Sequence, residues 1–157
     1  MAIVAIMSSG LTFPASEVRA LAGLTPSQLR DWTSRRGIVP ADRPAAGRGQ
    51  HAAYAWGTVL ALRIVAELHT EFGVEIAFWA KTGVRLRDAL AAVAPLALYG
   101  KCLWVGRGTF GITSGVSGGP AGTVIMVPLD PHLEALAIGL GFAPSAVQLN
   151  LFPVLSA

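Results

Sequence analysis

The chain has 157 residues, 53 % of them hydrophobic and only 13 % charged, with a formal net charge of +3. Ordinary globular domains carry about 25 % charged residues, so the chain has ample material for a core and little polar surface for a lone monomer; buried oligomer surface explains the deficit, and a merely alanine-rich composition is the plainer alternative. A single cysteine, Cys102, excludes an intrachain disulfide framework and a cysteine-rich zinc site, and His51, His69 and His132 lack ligand spacing.

The apolar start, MAIVAIM, is short and has no basic segment before it, so it is expected to be a small strand running into Leu11-Thr12-Phe13 rather than a signal peptide. Val18, Leu21 and Ala22 then recur at helical spacing, which predicts a first helix over Ser16–Ala22 ended by Gly23. Thr25 opens a second helix. Its hydroxyl and the side chain of Gln28 stand at capping-box spacing, and Pro26 falls at the first helical position, where a missing N–H costs nothing. Leu29 and Trp32 share the inner face, and Gly37 ends the helix after Arg35 and Arg36. The outward positions are Ser27, Gln28, Arg30, Asp31, Ser34 and Arg35.

Helix, short glycine turn, helix is the geometry of a helix-turn-helix, whose second helix enters the major groove of DNA. An ordinary helical hairpin with a solvated polar face fits the same stretch. Charge adds weight to the first reading. Residues 1–90 hold ten of the twelve Lys and Arg and seven of the nine acids, a balance of +3, while residues 91–157 are neutral. Thr25–Tyr54 alone carries five arginines against Asp31 and Asp42. A modest, localised excess of this kind suits phosphate binding, and a dimer doubles it.

The order of features resembles the winged helix-turn-helix domain of MerR-type transcription regulators and their excisionase-like relatives. The features are a glycine-ended helix, a Thr-Pro capped helix with Leu29-Arg30 and Trp32, then Arg-Arg-Gly-Ile-Val-Pro, a basic loop ending in Tyr54, and a long helix. The likeness covers roughly Thr12 to Trp79. It implies base contacts from Ser27, Gln28 and Arg30, and backbone contacts from Arg43, Arg48 and Tyr54 in or next to the wing. The sequence departs from the family's pattern at three places. Ala52 stands where an Arg usually precedes the wing tyrosine, with Gln50 or His51 able to take its place; Asp31 stands where an aromatic is common; and Leu29–Gly37 is one residue longer than the commonest form.

Beyond the loop, Trp56–Phe72 reads as one long helix, with Trp56, Val59, Leu60, Val65, Leu68 and Phe72 on a broad apolar face and Gly73 ending it. A second amphipathic segment places Val74, Ile76, Phe78 and Trp79 inward and Arg85, Arg87 and Asp88 outward; Pro95 stops it too early for an extended coiled coil. From Leu96 onward the pattern changes to strand-like ALYGKCLWVG, a glycine-rich run, the buried strand TVIMVPL, a helix in DPHLEALAIGL opened by an Asp-Pro cap, and a last strand in AVQLNLFPVL.

Three further matches carry less. Gly106–Gly111 has G-x-G-x-x-G spacing, but a dinucleotide site needs a helix directly afterwards, and ITSGVSGG is a poor helix former. Gly115–Gly119 has nucleophile-elbow spacing around Ser117. His51 and Asp88 precede it in the order of chymotrypsin-like proteases, yet Val116 replaces the family's Asp and turn chemistry explains the glycines. Ala135–Ala157 has no charged side chain, but Pro144, Gln148, Asn150 and Pro153 interrupt it as a membrane span.

The expected fold is α+β: a winged helix-turn-helix over 1–90, then a small domain of antiparallel strands plus a helix over 91–157. The expected function is that of a cytoplasmic, nucleoid-associated regulator, not an enzyme and needing no cofactor or metal, that binds double-stranded DNA. Ser27, Gln28 and Arg30 face the major groove; Arg35, Arg36, Arg43 and Arg48 hold phosphates; and Ser34, Gln50, His51 and Tyr54 complete the DNA-binding set. The C-terminal half makes a homodimer or higher oligomer or receives a signal, with no membrane contact. A protein-interaction adaptor, antiactivator or antitoxin-like, is the alternative from a different class.

Overall fold

The computed structural model describes residues 10–115 and 119–141; the strand expected in MAIVAIM, the Ser117 motif and the last strand from Ala146 lie outside them. Within the described residues the protein is mixed α+β, with six α-helices and two small antiparallel sheets. Strand β1 (Thr12–Pro14) runs directly into α1 (Ala15–Ala22). Helix α2 (Pro26–Arg30) continues into a π turn over Asp31–Arg35. Strand β2 (Ala53–Ala55) pairs with β1 and opens the long α3 (Trp56–Phe72). Then come α4 (Ile76–Ala91) and the single turn α5 (Pro95–Leu98). Strands β3 (Lys101–Gly106), β4 (Thr109–Ser114) and β5 (Ile125–Pro128) precede α6 (Asp130–Gly139).

Helix α3 is the centre. Ten of its residues are buried, from Gly57 to Leu68, on more than one face, as expected of a helix covered on several sides. Helices α1, α4 and α6 and strand β2 all pack on it. Phe72, expected on the apolar face, is 60 % exposed instead. Gly73 adopts φ 64° and turns the chain away at that point, leaving Phe72 on a last turn that overhangs the core.

The second sheet has the order β4-β3-β5, with β3 in the middle. Leu103, Val105 and Val127 join the same buried cluster as Phe13, Leu29 and Leu136, so the described residues on either side of position 90 share one core. The G-x-G-x-x-G stretch is a hairpin. Gly106 ends β3, Gly108 turns the chain at φ 71°, and Thr109 starts β4. Gly111 leaves room for the Trp104 ring, which lies where a Cβ would project. With a strand after these glycines instead of a helix, the dinucleotide reading falls.

Asp130 does not cap its helix as the Asp-Pro pattern suggested. Leu129 is the N-cap residue, and the Asp130 carboxylate accepts from the Gly100 N–H at 2.7 Å, fastening α6 to the turn before β3. The docked helix brings a buried histidine against α3. His132 Nε2 lies 3.6 Å from Glu67 Oε2, and its Nδ1 has no hydrogen-bond partner among the described residues. Burial pushes the His132 pKa down; Glu67 pushes it back up, and Arg63 down again. Arg63 itself reaches across to donate to the Leu21 carbonyl at 2.7 Å, at the C-terminal end of α1 where a cation suits the helix dipole. Among the described residues no helix is long and apolar enough to cross a membrane.

Two outcomes follow from this packing. A Cβ on Gly83 would strike the Ile38 carbonyl oxygen, so α4 can lie this close to the chain leaving the π turn only without a side chain there. Gly83→Ala should cost about 1–3 kcal/mol, as overpacking does, read as a lower denaturant midpoint. For His132, a depressed folded pKa means that the unfolded chain binds more protons just below its ordinary value of 6.5. Stability present above that pH should therefore be lost as pH falls, and His132→Leu should flatten this part of the pH dependence in denaturation curves.

Candidate nucleic-acid interface

The exposed cations between Thr25 and Tyr54 sit on two structures with different local causes. The first is the helical segment from Thr25 to Arg36. Gly23 closes α1 in the left-handed region at φ 68°, and the Leu24 N–H donates to the Arg19 carbonyl at 3.0 Å. Thr25 then caps α2: the Gln28 N–H donates to its hydroxyl at 3.1 Å, and the Thr25 N–H donates to Gln28 Oε1 at 3.0 Å. The capping box and Pro26 are thus in place as the sequence predicted. Leu29 and Trp32 are buried, and Trp32 meets the His69 ring edge-on with centroids 5.8 Å apart.

From Asp31 the helix widens. The Arg36 N–H donates to the Asp31 carbonyl five residues back, at 2.8 Å, and the buried Thr33 hydroxyl donates to the Leu29 carbonyl at 2.8 Å. The π turn absorbs a residue that an α-helix of the same rise has no place for. Trp32, Ile38 and Val39 stay buried as a result. Outside, Ser27, Arg30, Ser34, Arg35 and Arg36 are exposed, while Gln28 is half-buried with its side-chain oxygen committed to the cap. Arg36 is not a free cation: its Nε lies 2.8 Å from Asp31 Oδ2.

The second structure is the loop between Pro40 and β2. Its root is closed by a reciprocal backbone pair, Arg43 N–H to Ala53 carbonyl at 3.1 Å and Ala53 N–H to Arg43 carbonyl at 2.9 Å. Residues 44 to 51 stand in solvent, with Gly47 and Gly49 supplying left-handed turns at φ 71° and 87°. Arg43, Arg48, Gln50 and His51 are all exposed. Arg43, Gln50 and His51 come together on the wall of one cleft of about 710 Å³ between this loop and β1.

Tyr54 is a correction. It is only 3 % exposed and belongs to the core, so its side chain is not offered to DNA. The pairing explains why. Tyr54 stands directly opposite Phe13 in the β1–β2 pair, opposite residues point to the same face, and Phe13 is buried.

Two residues that position the loop escaped the sequence reading. Asp42 Oδ2 accepts from the Ala55 N–H and from the Thr58 hydroxyl, each at 2.7 Å, and so caps α3 from outside the helix. Ala55, the residue at the N-cap, has no side-chain acceptor, which was the one available hint. Arg87 Nη1 donates to the Pro40 carbonyl at 3.2 Å and fixes the chain where the loop departs. No group of three His, Cys, Asp or Glu gathers to hold a metal among the described residues, and Cys102 is buried. The sequence matches no known family model and no curated protein.

Asp42→Ala should strip the α3 cap and loosen the root of the loop together. The expected cost is about 0.5–2 kcal/mol, as for other lost caps, with faster amide hydrogen exchange at Ala55 than at the middle of α3.

Proposed function

We propose that the protein is a sequence-specific regulator that binds double-stranded DNA through a winged helix-turn-helix of MerR-like type. The Thr25-capped segment is its recognition helix and the Arg43–Ala53 loop its wing. The observation that carries this reading is the pairing of two exposed polar structures around one core. One is a rigidly capped helix offering Ser27, Arg30, Ser34 and Arg35; the other is a glycine-turned loop offering Arg43, Arg48, Gln50 and His51. Both are tied to α3 and α4, through Trp32 against His69, Asp42 on the start of α3 and Arg87 on Pro40.

In chemical terms the wing arginines neutralise phosphates and set register, whereas Arg30, Ser27 and Ser34 contact base edges. Gln28 contributes only its amide nitrogen, since its oxygen caps the helix. The C-terminal half pairs copies of the chain, a role supported by the exposed Leu96 (52 %) and Ile138 (54 %) and by the scarcity of charge there. A protein-interaction adaptor is the second reading, favoured by the loss of Tyr54 to the core and of Arg36 to Asp31.

Fluorescence anisotropy separates the two. Arg43→Ala and Arg48→Ala should weaken binding to every duplex alike and reduce the slope of log K against log salt by about one unit per lost phosphate contact. Arg30→Ala should instead relax the sequence chosen from a random duplex pool. Wild-type protein that ignores duplex DNA at low salt leaves the adaptor.

A further inference from the structure

Asp31 is the single acidic residue between Thr25 and Arg36, on a segment that otherwise exposes three arginines. Its place has a structural cause. At about 100° per residue, positions five apart on an α-helix lie about 140° apart, too far round for a short carboxylate and an arginine to meet. The π turn winds more slowly, with the Arg36 N–H bonded to the Asp31 carbonyl at 2.8 Å, and so brings residues 31 and 36 to one side. The side chains meet there, Arg36 Nε to Asp31 Oδ2 at 2.8 Å, with 57 % and 31 % of their surfaces exposed. Arg30 and Arg35, on the same segment, make no ion pair among the described residues. The extra residue in this helix thus converts one of three cations into an internal pair.

We infer that Asp31 is a brake on sequence-independent DNA binding: it holds Arg36 back from phosphates and sets a negative charge beside the polyanion. This rests on the DNA-binding reading above. A phosphate contact contributes equally on every sequence. Withholding one lowers affinity for arbitrary duplex and leaves more of the binding free energy to Ser27, Arg30 and Ser34. Repulsive elements of this kind are a recurrent source of discrimination.

The test is anisotropy on a random-sequence duplex across a salt series, with thermal unfolding of each variant alongside. Asp31→Asn should tighten binding several-fold and steepen the log K against log salt slope by about one unit, as Arg36 gains a phosphate. Asp31→Glu keeps the charge and should show no such gain. Arg36→Ala should cost much less than Arg35→Ala in the wild-type background, and in the Asp31→Asn background it should cancel the gain. Wild-type binding with an unchanged slope in Asp31→Asn overturns the brake alone, as does weaker binding by Asp31→Asn, which would make the pair a helix staple. Failure of the wild-type protein to bind duplex at low salt overturns the DNA reading and the brake with it.

Discussion

A helix that is apolar on several sides cannot be satisfied by one neighbour. Helix α3 buries Val59, Leu60, Ala61 and Leu62 in succession, then Ile64, Val65 and Leu68, so partners must arrive from several directions. At about 25 cal/mol for each Å² of apolar surface removed from water, leaving any one side open forfeits several large side chains. The chain supplies α1 and β2 from before the helix, α4 from after it, and α6 from its far end. The requirement that α3 be covered places α1, β2, α4 and α6, and it reaches the arginine-bearing segment through Trp32 against His69.

The polar surface inherits its rigidity from that core. Trp32 is buried against His69 of α3, and His69 Nδ1 lies 3.0 Å from the Val74 carbonyl, so the inner side of the Thr25–Arg36 segment is held while its outer side stays solvated. Wound as a plain α-helix, the stretch from Leu29 to Gly37 would turn one end further round relative to the other than the π turn does and carry either Leu29 or Ile38 out of the core. Both are buried, because the helix widens locally into a π turn. The consequence is felt on the outside, where Asp31 and Arg36 become neighbours. A packing constraint on the inner face has thereby changed the charge pattern of the outer one.

The loop is governed differently. Residues 44 to 51 bury nothing, and their conformation follows from glycine turns and a closed root. Its fixed points are Asp42 on the Ala55 amide and Thr58 hydroxyl, and Arg43 paired with Ala53. The carboxylate at the N-terminus of α3 also meets the positive end of that helix's dipole, so the loop is tethered where the helix attracts an anion.

Local signals were read correctly from the chain where the interaction lies within a few residues. The Thr25–Gln28 capping box, Gly23 and Gly73 as helix ends, and the Trp56–Phe72 helix are all of this kind, because capping and helical periodicity span one or two turns. What depends on a partner distant in sequence was not legible. Tyr54 faces the core because Phe13 lies across from it, Asp42 reaches 13 and 16 residues ahead, Asp130 serves Gly100 rather than its own helix, and Phe72 overhangs a core whose edge no periodicity reveals. The sequence by itself therefore determined the long helices, the Thr25 cap, the glycine helix ends and the clustering of arginines before Tyr54. Only the tertiary structure decided which of those polar groups remain available, since burial and pairing are properties of neighbours brought together by packing and not of the residue that carries the charge.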